Sequence, residues 1–372
     1  MNDRRTIEVA GEPRKPRLLF VGIEGLAEWP GLPGIVVAGI VDVYGEWGSS
    51  SVKPQGLPAQ LQHCRLFASL EEALELSAPD TAFVCVSNDR KTSFPVMERL
   101  LRENIDVLVK KLRLHAMSDV ERLSELSKRG PGRLFVGEHY RYMPSVRALK
   151  RLVDEDELGA VEQITWRCRL PYEIHDWMKS YRHLVLEDLS YHHFSVLHDL
   201  FGFEPLRLYA HSFEPAFSRA GTRTVASVLA ETADYRLNYE TVWCSKREPY
   251  SYLGEVTVEG SKASAVLTDT SLHQYSPLGR NREVVCPAPR YDGPWGLLEH
   301  WLDTYGSGQR TAAVESEKQF SLGAEAKAKT EAEAEAEAKD TARWLPYTFE
   351  RFEPVLLAIY RAVESAKNHV VR

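Results

Sequence analysis

The feature that most constrains this chain is a rhythm in its first third, where short apolar runs alternate with segments of helical spacing. Leu18–Val21, Ile35–Val41, Thr81–Val86, Asp106–Val109 and Arg133–Val136 read as strands, and Phe67–Leu76, Phe94–Glu103 and Ser118–Lys128 as helices. Ser69 with Glu72, and Ser118 with Glu121, have the spacing of helix-opening capping pairs, in which a hydroxyl and a carboxylate satisfy otherwise unpaired backbone N–H groups. Strands alternating with helices at this interval imply a parallel, doubly wound sheet.

Past Gly137 the rhythm changes. Ser145–Asp154 and Glu187–Phe201 have helical patterns and Val161–Arg169 reads as a strand. Further strands then follow without long helices between them: Leu206–Ser212, Thr224–Glu231, Tyr239–Ser245, Gly254–Glu259 and Ala263–Thr268. Short turns such as Glu259-Gly260-Ser261-Lys262 make this second sheet largely antiparallel and its domain α+β. The expected division is a polar arm over 1–16, a dinucleotide-type (Rossmann-like) domain over 17–137, and an α+β substrate and oligomerisation domain over 138–323. A low-complexity Ala/Glu/Lys segment over 324–340 follows, and then an apolar helix within 341–372, patterned over Tyr347–Val363, that packs back on the body. In Ala324–Asp340 the glutamates alternate strictly with alanine and leave no apolar face to bury, so a solvated helix or linker is expected.

Composition narrows the function classes. The 372 residues include 46 Lys and Arg against 53 Asp and Glu, a net charge of −7, with no dense basic tract to neutralise phosphates, so nucleic acid is not the expected partner. No apolar run approaches the length of a membrane span, and no secretory pattern follows Arg4 and Arg5, so neither membrane nor export is expected. Cys64, Cys85, Cys168, Cys244 and Cys286 are scattered and odd in number, which fits reduced thiols in a cytoplasmic protein.

The turn after the first strand is the natural seat for a dinucleotide. Gly22-Ile23-Glu24-Gly25-Leu26-Ala27 stands where a Gly-x-Gly-x-x-Gly/Ala fingerprint is expected, and Asp42 follows Gly22 by twenty residues, at the end of the second strand. An Asp there accepts hydrogen bonds from a ribose diol and repels a 2′-phosphate, which favours NAD over NADP. Glu24 holds the place of the second glycine, where its carboxylate faces the expected pyrophosphate. Pro30 and Pro33 confine the first helix to about Gly25–Trp29, leaving little macrodipole for an anion.

These stretches, together with Val107–Leu112 (VLVKKL), Val136–Pro144 (VGEHYRYMP), Glu187–Gly202 (EDLSYHHFSVLHDLFG) and the Glu259–Lys262 turn, resemble the glucose–fructose oxidoreductase/inositol dehydrogenase/MocA (Gfo/Idh/MocA) family. The resemblance covers roughly residues 17–270 and returns at the final helix. It implies a dinucleotide domain followed by an α/β domain with an open sheet, a homo-oligomer, and a catalytic Lys, Asp and His at Lys111, Asp188 and His192. The cofactor side departs from the family pattern. Lys110 and Leu112 flank Lys111 where the family has Glu and Pro, and Val86-Ser87-Asn88 replaces Thr-Pro-Asn, which assigns Ser87, Asn88 and Lys110 to the cofactor side with Gly22, Glu24, Gly25 and Asp42.

Asp188 and His192 are four apart, so on a helix they share one face. The expectation is that His192 is the acid/base at a substrate oxygen, that Asp188 orients it, and that Lys111 polarises that oxygen. His175, His183, His192, His193, His198 and Asp199 also invite a metal reading, but His193 and His198 point to different helical faces and no carboxylate cluster supports them in sequence, so no metal is expected. Tyr140, Arg141, Tyr172, His175, Trp177 and Arg182 are candidates for pocket walls. The reading is an NAD(H)-dependent oxidoreductase interconverting a secondary alcohol and a ketone on a sugar, cyclitol or related polar metabolite. Two alternatives stay open: a degenerate member that binds the dinucleotide weakly or not at all and serves as a ligand-binding or partner subunit of an active homologue, and a non-redox enzyme using the same Lys, Asp and His as acid–base groups.

Overall fold

The computed structural model describes residues 14–43, 57–86, 90–112, 114, 116–246, 251–277, 279–291, 293–306 and 346–368. Ser87, Asn88, most of the N-terminal arm and the Ala/Glu/Lys segment over 324–340 lie outside the described residues.

The first sheet has seven strands. In chain order these are β1 Arg17–Val21, β2 Val36–Val41, β3 Leu66–Phe67, β4 Thr81–Val84, β5 Asp106–Val109, β6 Leu134–Val136 and a returning strand Tyr347–Thr348. Their spatial order runs from the returning strand through β6, β5, β4, β1 and β2 to β3, and all pairs are parallel except the returning strand on β6. Every residue of β4 and β5 is buried, as strands covered on both faces must be. The doubly wound sheet read from the rhythm is therefore present. Tyr347–Thr348, expected as the start of a helix, is instead that returning strand. The helix proper is Phe349–Asn368, which packs against α3 (Met117–Arg129) and against the helix Ser190–Phe201.

The expected capping pair at Ser69 and Glu72 is made. The helix α1 (Leu70–Ser77) opens with the Ser69 hydroxyl accepting from the Glu72 N–H at 3.1 Å, while the Glu72 carboxylate accepts from the Ala68 N–H at 2.9 Å. Ser69→Ala should lower the unfolding free energy by about 1 kcal/mol in urea titration, the usual cost of an N-cap hydroxyl. The second capping pair is corrected: α3 begins one residue earlier than read, and the Asp119 carboxylate accepts from the Ala116 N–H, so Ser118 and Glu121 do not cap it.

The two faces of this sheet are covered unequally. One carries α1, α2 (Arg90–Arg102), α3 and the C-terminal helix. On the other, the helix that would follow β1 has shrunk to a single 3₁₀ turn, Leu26–Glu28, as the two prolines foretold. The space is filled from far along the chain by a Trp-rich segment ending in α6 (Gly296–Trp301). Phe20, Trp29 and Phe83 pack against Trp295 with ring centres 5.0–6.1 Å apart, and Phe135 meets Trp301.

The second sheet has eight strands in the order β14-β13-β12-β11-β7-β10-β9-β8. These are β7 Val161–Arg169, β8 Arg207–Phe213, β9 Val225–Glu231, β10 Arg236–Val242, β11 Glu255–Gly260, β12 Ser264–Leu267, β13 Leu272–Tyr275 and β14 Arg282–Glu283. Only β7 and β10 run parallel, and the Glu259–Lys262 turn makes a hairpin of β11 and β12, as expected. Helix α4 is Pro144–Asp154, and α5, Ser190–Phe201, is preceded by a π-helical turn, Val185–Leu189, so the continuous helix read over Glu187–Phe201 is wound differently through Asp188.

Candidate active site

Four side chains from four segments meet at the carboxyl ends of β5 and β6. Lys111 follows β5, Glu138 follows β6, Asp188 lies in the π-turn and His192 on the first turn of α5. Lys111 Nζ donates to Asp188 Oδ1 at 2.8 Å and to the Asp188 carbonyl at 2.9 Å, and lies 3.3 Å from His192 Nε2. The π-turn is what lets one residue offer both its carboxylate and its carbonyl to the same ammonium. Tyr191 pins the surroundings: its hydroxyl donates to the Gly137 carbonyl at 3.1 Å and accepts from the Leu112 N–H at 3.2 Å, tying both strand ends to the helix.

The three residues read as catalytic are thus brought together, but one role changes hands. The Asp188 carboxylate pairs with Lys111, whereas the group on the His192 ring is Glu138, whose Oε2 stands 2.8 Å from Nδ1. The Glu138 side chain is fully buried, and its Oε1 accepts from the Tyr140 N–H at 2.8 Å. Burial pushes this carboxyl up, opposed by the charge of His139, the Tyr140 N–H and Lys111. An ammonium beside Nε2 requires that nitrogen to be an unprotonated acceptor, so the proton sits on Nδ1 and points at Glu138. Tyr140 stacks on the imidazole at 4.7 Å between ring centres, which fixes the ring plane. Glu138 was missed in the sequence. Its signals are its place in the Val136–Pro144 stretch and its position two residues beyond the end of a parallel strand, where open α/β sheets place ligand-binding groups.

These groups open into a cavity of about 430 Å³ lined also by Tyr140, Tyr172, Trp177, Trp243, Tyr252 and Leu297. Of the other expected wall residues, Arg141 is instead buried beneath, paired with Asp199 at 3.1 Å. Arg182 lines a separate cavity, and His175 lies against Tyr172 and is not among the residues lining the cavity at Lys111 and His192. Two further histidines of the metal reading are engaged by other groups: His193 is buried between the Tyr239 hydroxyl and the Tyr252 carbonyl, with burial pushing it down to about 3. His183 is bonded to Ser212 and pushed down to about 4, by burial first and then by Arg223. A group of potential ligand atoms that the sequence spacing does not show does form in space, since Glu138, His139 and His192 present one carboxylate and two imidazoles within 4.8 Å of one another. There the Glu138–His192 hydrogen bond is already made, and the Lys111 ammonium opposes a cation.

Among the described cofactor-side residues, Lys110 lines this cavity. Gly22 and Gly25 have φ of +87° and +76°, and a Cβ on Gly22 would stand 2.7 Å from the Cys85 carbonyl, so the turn runs tight against β4. Asp42 is buried at the end of β2. Lys110 extends to the turn, its Nζ filling the space a side chain at position 25 would take. Glu24 and Lys110 both act on Cys85, whose thiol burial pushes up to about 12.

Residues 146–266 match the family model of the GFO/IDH/MocA C-terminal domain. The inositol 2-dehydrogenase of Rhizobium meliloti is similar at 26% identity over 208 residues, which is 52% of this chain and 58% of that relative, so the match spans little more than half of its length. Among solved structures, an oxidoreductase from Agrobacterium radiobacter in complex with NAD+, L-tartaric acid and magnesium aligns with a TM-score of 0.73 at 13% identity, over 95% of this chain and 97% of that one. An inositol dehydrogenase homolog from Azotobacter vinelandii, complexed with NADH and myo-inositol, aligns with a TM-score of 0.68 at 16% identity, over 97% and 98% of the two chains. At such identities the structural likeness is one of fold. The family resemblance read from the sequence is borne out by these matches.

Proposed function

We propose that this chain is an NAD(H)-dependent oxidoreductase that interconverts a secondary alcohol and a ketone on a small polyhydroxylated metabolite such as a cyclitol or sugar. The observation that carries the reading is the Lys111–His192 pair, held by Asp188 and Glu138 in the lining of an aromatic cavity that Lys110 links to the glycine turn. Gly22 and Gly25 adopt the left-handed backbone that the tight turn of a dinucleotide fingerprint requires, and Asp42 follows β2, where an acidic residue would accept from a ribose diol. When bound, the nicotinamide supplies the hydride acceptor or donor.

The chain's own residues handle the proton. All three N–H groups of Lys111 are engaged, two with Asp188 and one, at 3.3 Å, with His192 Nε2. That long contact is the one a substrate oxygen replaces, accepting from Lys111 and donating to Nε2. During oxidation the hydroxyl proton passes to Nε2 as hydride leaves the carbon. The imidazolium so formed is held by Glu138 at Nδ1, and Lys111 stabilises the developing negative charge on the oxygen. Reduction is the reverse, with His192 returning the proton.

Isothermal calorimetry with NADH and NADPH tests the reading at its root. NADH is expected to bind more tightly, because Asp42 favours a diol and repels a 2′-phosphate, and Asp42→Ala should narrow the gap several-fold. Equal binding of both, unchanged by the substitution, would remove Asp42 from the site. The shortened helix and Glu24 favour a second reading, an acid–base enzyme without hydride transfer. Absence of dinucleotide binding together with proton exchange at a substrate carbon would select it.

A further inference from the structure

We infer that Lys110 is the diphosphate-binding group of this chain, standing in for the helix N-terminus that its fold has lost. The inference rests on the dinucleotide reading above and says how such a ligand is held. In a doubly wound sheet the anion is ordinarily held by the N–H groups and dipole of the helix after the first strand. Here that helix is the three-residue turn Leu26–Glu28, with Trp29 and Pro30 behind it, and its own Glu24 adds a negative charge beside the turn. A diphosphate placed there needs a cation from elsewhere.

Lys110 is in position to provide one. Strand alternation sends Lys110 and Lys111 to opposite sides of the end of β5: Lys111 goes to Asp188 and His192, and Lys110 crosses toward β1. Its Nζ rests against Gly25 and lies 4.4 Å from the centre of the Trp295 ring. Among the described residues no carboxylate pairs with it, and the face of an indole is what holds it. Unlike an ammonium locked in an ion pair, this one can turn to an incoming anion without first breaking a salt bridge. Gly25 has no Cβ, so the side chain can lie on the turn itself, and any larger residue there would displace it. Trp295 comes from the segment that covers the sheet face left bare by the missing helix, so the loss and its replacement occupy the same place in the fold.

The test uses the full-length protein and three probes, NADH, ADP-ribose and inorganic pyrophosphate, titrated by calorimetry. Wild type is expected to bind NADH and ADP-ribose, with pyrophosphate competing against both. Lys110→Met should weaken NADH and ADP-ribose alike by about 10-fold or more, the usual effect of losing one charged hydrogen-bond partner, while Lys110→Arg keeps most of the affinity. Thermal midpoints of the variants near that of wild type would show that the loss is local. NADH affinity unchanged in Lys110→Met overturns the inference and leaves the dinucleotide reading standing. Lys110-dependent binding of ADP-ribose without binding of NADH does the opposite. Failure of all three probes to bind wild type overturns both.

Discussion

Lys111→Met is expected to lower kcat on the order of 10²–10⁴-fold in the proposed cofactor-linked oxidation of a polyol, with a smaller change in KM. The substitution keeps the length and apolar stem of the side chain but removes the charge that stabilises the developing alkoxide. It also strands Asp188, a carboxylate with a side chain only 9% exposed, without its ion-pair partner, so a thermal melt should fall as well. His192→Ala should cost a similar factor in kcat by removing the proton acceptor. Because both act on one oxygen in one step, the double variant should lose less than the product of the two single losses. Wild-type turnover in both single variants would defeat the assignment.

Glu138→Gln should be nearly as damaging, for a reason that lies in hydrogen-bond bookkeeping. The two carboxylate oxygens of Glu138 each accept from a donor, one from the Tyr140 N–H and one from His192 Nδ1. A glutamine has one acceptor and one donor end. If its oxygen keeps Tyr140, its NH₂ faces Nδ1 and drives the proton to Nε2, which can then no longer accept from substrate. A loss on the order of 10²–10⁴-fold in kcat follows, as for other enzymes in which a buried carboxylate sets the tautomer of a catalytic histidine. Residual activity should carry a signature. Removing the negative charge disfavours the imidazolium, so the acidic limb of the pH–rate profile moves to lower pH, by about 1 unit or more. Asp188→Asn should move that limb far less, because Asp188 faces Lys111. If Asp188→Asn shifts the limb and Glu138→Gln does not, the exchange of roles is wrong.

That exchange marks the boundary of what local spacing can say. The four-residue step from Asp188 to His192 was read as a carboxylate orienting an imidazole, since i and i+4 share a helical face. Both do line the cavity, as the shared helical face leads one to expect. The spacing could not say what each touches, because the π-turn redirects Asp188 to Lys111, 77 positions away. Glu138 reaches the same ring from 54 positions upstream. Similarly, the prolines after Trp29 announced a short first helix, but nothing near them announced that Trp295 would fill the gap.

What the sequence determined by itself was whatever depends on neighbours within a few residues: the strand–helix rhythm and hence the parallel sheet, the Ser69 cap, the tight hairpin at Gly260, and the glycine turn with Asp42 at the next strand end. These follow from backbone periodicity and local hydrogen bonding, which are written in consecutive residues. The tertiary structure alone decided which carboxylate holds which base, that Arg141 is buried on Asp199 and does not line the cavity, and that Lys110 lies on the turn against Trp295. Each of these joins elements far apart in the chain, and such contacts are selected by how whole sheets and helices bury their apolar faces, so no local pattern records them.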